Sequence, residues 1–158
     1  MPELTGTKLK YGRAAANFVL AYVVVTILAI GLSLAIGAAI HAPETAEPMQ
    51  NKGYLLSERF LPFLNLLVWT AFAAIYFRRA QSPSASRKEA VALGAFWLAL
   101  ALVVDYVGFV LIKNPISLSP HDFYIGQFPW IYLIYIVVFI SPLCYTALAN
   151  ARTKKALA

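Results

Sequence analysis

Four long apolar stretches are separated by short polar ones along this chain. They run over about 14–40, 60–77, 90–112 and 128–149. A helix needs about 20 mostly apolar residues to cross a hydrocarbon core of about 30 Å. All four stretches approach or exceed that length. The second is the shortest, but Arg59 and Arg78 bracket it. The first has the basic flank of a secretory signal and small residues at Gly37, Ala38 and Ala39. Its apolar run of about 27 residues is too long for a signal core of about 7–15, so it reads as a retained span. The pattern predicts an all-α polytopic membrane protein, a four-transmembrane-helix bundle forming one domain.

Composition agrees. Hydrophobic residues make up 61% of the 158 and charged residues 13%, against about 45–50% and about 25% in soluble domains. So few charges cannot clothe a small soluble fold, and so much apolar surface excludes disorder. The single cysteine, Cys144, offers no disulfide framework and no Cys-rich metal site.

Placing the charges turns a net +6 into an orientation. Ten basic residues fall on one side: Lys8, Lys10, Arg13, Arg78, Arg79, Arg87, Lys88, Arg152, Lys154 and Lys155. Only Lys52, Arg59 and Lys113 fall on the other, together with Glu44, Glu47, Glu58 and Asp122. Positive-inside bias then predicts cytoplasmic N- and C-termini in a cell membrane, with anionic headgroups beside the clusters. The clusters flank spans and lack the aromatic interleaving of a nucleic-acid surface, so the bilayer is the expected partner and nucleic acid is not.

The loops are short. The cytoplasmic one is Ser- and Pro-rich, with Ser86 and Glu89 spaced for a capping box at the third span. The first outer loop, 41–58, carries Pro43, Pro48 and Gly53 and shows no apolar periodicity. The second predicts a short interfacial helical turn: Ser119 as N-cap, Pro120 at the first position, Asp122 near the positive end and Gly126 as stop. Small residues spaced four apart (Gly31 and Ala35, Ser33 and Gly37, Ala95 and Ala99, with Gly94 adjacent) suggest that spans one and three make the tight contacts. Pro142 predicts a kink near 138–140.

One ionisable residue lies inside a span, Asp105, about 10 Å below the outer surface at 1.5 Å per residue. Asn65, Ser33, Tyr132 and Tyr135 share its depth, and Arg59 and Lys113 sit above them. The expected ligand-binding set is therefore Asp105, Asn65, Tyr135, Ser33 and Arg59. Interhelical glue is the competing reading of Asp105. Asn17 is expected to snorkel at the inner interface, and Cys144 and Thr146 to pack. His41 and His121 match no metal-ligand spacing. No GxSxG, HExxH or phosphate-binding loop is present, and an aspartyl hydrolase needs two facing carboxylates where one span offers one. No cofactor is expected. The leading expectation is a non-enzymatic carrier or accessory subunit with an outward-facing polar layer around Asp105. Four spans are few for a complete pathway, so a homo-oligomer or a larger membrane partner is expected. The alternative is a membrane-embedded enzyme acting on a lipid or lipid-linked substrate, with Asp105 as acid or base and Arg59 or Lys113 holding a headgroup.

Overall fold

The computed structural model describes residues 9–43, 48–79, 86–113 and 117–156. Lys8, Glu44, Glu47 and most of the Ser- and Pro-rich linker, 80–85, lie outside them. The described residues are mainly helical with no strand among them, and four helices are long and apolar enough to cross a membrane. Helix α1 spans Tyr11–Ala39, α3 Leu61–Arg79, α4 Arg87–Asp105 and α5 Trp130–Ala156. A short α2, Lys52–Ser57, lies between α1 and α3. The apolar stretches locate these helices, but α5 continues beyond its apolar run. The Ala-, Arg- and Lys-containing tail sustains a helix as well as leucine does.

Helix α5 packs on α3 and α4, and α1 packs on α2 and α3 and more sparsely on α4. Aromatic rings fill the centre of the half nearer the termini. Trp69 of α3 lies between Phe18 of α1 and Trp97 of α4, at centroid distances of 5.4 and 5.3 Å. The Trp97 indole N–H donates to the Ala14 carbonyl at 2.9 Å, so this aromatic core also satisfies its buried donor.

The close approaches differ from the expected pairing of spans one and three. Gly94 of α4 lies against α5, where an added Cβ would stand 2.1 Å from the Phe139 carbonyl oxygen. Ser33 and Gly37 of α1 receive α2 instead, with Gly53 seated so that a Cβ would lie 2.7 Å from Gly37 Cα. Gly31 meets nothing within 4 Å, and Ala35, Ala95 and Ala99 are exposed. Spacing alone identified faces where a backbone can approach; it did not say whose backbone does.

The first loop is more ordered than its composition suggests. A 3-10 turn at Pro48–Gln50 leads into α2, whose N-cap Asn51 accepts the Tyr54 amide at 3.0 Å. Six residues are too few for a periodic signal, and α2 exists because Gly53 docks on α1. Helix α1 ends in a Schellman motif: the His41 amide reaches Ala38 O and the Ala42 amide reaches Gly37 O. His41 takes the left-handed position with φ 51°.

The helical turn of the second loop forms where expected. Ser119 Oγ accepts the Asp122 amide at 3.1 Å and donates to the Asp122 carboxylate at 2.8 Å. Asp122–Gly126 then widens into a π-helical turn. The capping box expected at α4 does not form. Ser86 makes no side-chain cap, and Glu89 turns inward to accept the Tyr76 hydroxyl at 3.1 Å. Asn17 does not snorkel; it is buried and donates to Arg13 O at 2.9 Å. Helix α5 is continuous through Pro142, which removes the N–H due to Val138 O.

Candidate functional site

A cavity of about 380 Å³ occupies the half of the bundle opposite the termini. Trp69 is at its inner limit, where the aromatic core begins. The cavity exists because the centre is not filled there. On α1, Ala29 and Ser33 present little volume, and on α4 Ala101 does the same. Above these, Phe109, Leu118 and Phe123 contribute from the second loop region, and Asn51, Tyr54 and Ser57 from the first.

Asp105 lines this cavity at the point where α4 gives way to a π-helical turn, Tyr106–Leu111. There the backbone bonding shifts to the wider pattern, with the Ile112 amide reaching Val107 O at 3.0 Å. Such turns recur at functional sites because the extra residue re-aims side chains. The Leu118 amide returns to Phe109 O at 2.9 Å and ties the second loop to this turn. Phe123 stacks on Phe109 with centroids 6.0 Å apart, which closes that side.

The Asp105 carboxylate accepts a hydrogen bond from the Tyr22 hydroxyl of α1. Tyr135 of α5 places its hydroxyl beside the same carboxylate. That hydroxyl is buried, on a side chain only 7% exposed, and completes no hydrogen bond with a described group. The acid therefore sits between donors from the first and last helices.

Asn65 also lines the cavity, but its amide is used locally. Its Nδ2 donates to Leu61 O at 2.9 Å, and its Oδ1 accepts the Trp69 indole N–H at 2.9 Å. Its effect is to fix the Trp69 ring. Ser33 lines the wall from α1. Four of the five expected site residues, Asp105, Asn65, Tyr135 and Ser33, thus meet at one cavity. Arg59 is exposed and does not line it, and Lys113 and Tyr132 are likewise exposed and outside its wall.

Sequence reasoning missed Tyr22, Tyr54 and Gln127. Tyr22 had a visible signal. With Thr26 and Ser33 it forms a polar stripe at spacings of four and seven on an otherwise apolar helix. Tyr54 and Gln127 had none, because they belong to the two loops and meet only in the fold. Gln127 Nε2 donates to the Tyr54 hydroxyl at 2.7 Å, which joins α2 to the entrance of α5.

Glu58 follows α2 and is buried, with Oε1 lacking a partner among the described residues. Burial pushes its carboxyl above the ordinary carboxylate range, and a hydrogen bond from Tyr54 opposes this. The Tyr54 hydroxyl is itself pushed up, first by burial and then by the Glu58 charge. His121 lies on the surface, 3.6 Å from the Asp122 carboxylate. Among the described residues no three His, Cys, Asp or Glu side chains are grouped to hold a metal ion.

Compared with known protein families, with characterised proteins and with solved structures, the chain matches none. The fold defines a multi-pass membrane protein, and any activity must be argued from the cavity.

Proposed function

We propose that this protein is a small-ligand-binding membrane protein, a carrier or an accessory subunit of one, and that the Asp105 cavity is its binding site. The cavity carries this reading. It lies in the range of about 300–1,000 Å³ common for ligand pockets, mostly apolar with a few convergent polar groups. Interhelical glue is better made by closing such space than by leaving it beside a buried acid. The enzyme alternative has less support. Neither Arg59 nor Lys113 lines the cavity to hold a headgroup, and Asp105 is the one carboxylate among the described residues of its wall.

The basic clusters favour cytoplasmic termini, so the cavity faces the outer side of the cell membrane. Covalent labelling in intact cells of a Lys52→Cys variant in a Cys144→Ser background tests this orientation; protection from an impermeant reagent reverses it. Four spans around a cavity of this size suit a unit that works as a homo-oligomer or beside a larger membrane partner.

Binding is tested with a panel of small cationic, neutral and anionic molecules. The purified chain should show saturable thermal stabilisation by part of the panel. The Ala29→Phe substitution, which fills the cavity from α1, should abolish it. No stabilisation by any panel member, or stabilisation unchanged in Ala29→Phe, overturns the proposal.

A further inference from the structure

We infer that the ligand class of the Asp105 cavity is a small organic cation with an apolar, preferably aromatic, body; the inference rests on the cavity being a binding site. The chemistry of the wall carries it. Asp105 is 8% exposed and lines the cavity, yet no Lys, Arg or His is among the described lining residues. A buried carboxylate with no opposite charge is costly, and a bound cation supplies the missing partner. An anionic ligand meets the opposite situation, a carboxylate and no cation.

The rest of the wall suits the body of such a ligand. Tyr22, Tyr54, Trp69, Phe109, Phe123 and Tyr135 all line the space. Aromatic faces attract a cation, and the attraction strengthens where water is excluded. The remaining lining is mainly aliphatic, which favours an alkyl or aryl body over a hydrated metal ion. A hard metal cation wants several oxygen ligands, and one carboxylate among rings does not provide them. The Tyr22 hydrogen bond holds the carboxylate in place, and the Tyr135 hydroxyl beside it is a second polar group that can meet the ligand.

Three probes of similar size separate charge from shape: benzyltrimethylammonium, its uncharged carbon analogue neopentylbenzene, and benzylsulfonate. Binding is read on the purified full chain by tryptophan fluorescence, since Trp69 lines the cavity, and by thermal stabilisation. The cation should bind at least about tenfold more tightly than the neutral analogue, and the anion should bind most weakly. Asp105→Asn keeps an acceptor for Tyr22; it should reduce affinity for the cation by about tenfold or more relative to the neutral analogue. Equal or tighter binding of the neutral or anionic probe by the wild-type chain overturns the ligand class and leaves the binding site standing. That comparison needs no variant, so it holds even if Asp105→Asn fails to fold. Unchanged cation affinity in a folded Asp105→Asn protein also overturns the class. No binding of any probe overturns both the class and the site.

Discussion

Gly94→Ala tests the helix seam that supports the cavity. The Ala Cβ would stand 2.1 Å from the Phe139 carbonyl oxygen, 3.1 Å from its carbon and 3.4 Å from its Cα. Ordinary contact begins at 3.4 Å, so α4 and α5 must separate by about 1.3 Å along that line, or slide. The obstructing atoms are helix backbone and cannot rotate away. Overpacking of this kind costs about 1–3 kcal/mol, and the shortfall places Gly94→Ala at the upper end. Ala gains about 1 kcal/mol over Gly in helix propensity, so a net loss of about 1–2 kcal/mol is expected. Gly31→Ala is the internal control. It also lies inside a long helix but meets nothing within 4 Å, so it should be neutral or stabilising by about 0.5–1 kcal/mol. Reversible unfolding of both variants in mixed micelles, followed by circular dichroism, gives the two signs. Gly94→Ala as stable as wild type, or both variants changing alike, would refute the assignment of the α4–α5 contact to Gly94.

Three further outcomes follow from other parts of the fold. His41 occupies a left-handed position in the Schellman motif, so His41→Gly should raise the midpoint of unfolding by about 1 kcal/mol equivalent; a loss of stability would contradict the motif. Asp105→Leu removes the acceptor of the Tyr22 hydroxyl and should cost about 0.6 and up to about 1.7 kcal/mol, while Asp105→Asn costs less; equal losses in the same unfolding assay would mean that this hydrogen bond contributes nothing. Burial raises the Glu58 carboxyl above its ordinary 4.5, so the folded state holds that proton more tightly than the unfolded chain. The resulting contribution is complete below 4.5 and is lost as pH rises through the folded value. Melting temperatures between about pH 4 and pH 8 should therefore fall less steeply for Glu58→Gln than for wild type; identical slopes would remove Glu58 as the cause.

Much of the fold is legible along the chain because a bilayer demands long, uniformly apolar helices and penalises an ionisable residue inside one. Those two constraints were enough to locate α1, α3, α4 and α5 and to single out Asp105. The depth argument also brought Asn65, Tyr135 and Ser33 to its level, since helices of constant rise convert position into height. Depth carries no azimuth, however. Tyr132 was placed at the depth of Tyr135, yet it is exposed and does not line the cavity, about 60° of azimuth around α5 from Tyr135.

What the sequence alone determined, then, is the four spans, most of their ends to within three residues, the cap at Ser119 and the placing of an acid, Asp105, within one of them. These rest on composition and local periodicity, which each segment carries for itself. The tertiary structure decided which small residue meets which backbone. It seated Gly53 on Gly37 and Gly94 on Phe139, and it ordered α2, which has no periodic signal of its own. It also turned Tyr22 onto Asp105, joined Tyr54 to Gln127 and kept Arg59 outside the wall. All of these depend on the rotation of one helix against another, set by packing among segments far apart in the chain. The cavity beside Asp105 belongs to that second group. A cavity is a property of what several helices together fail to fill.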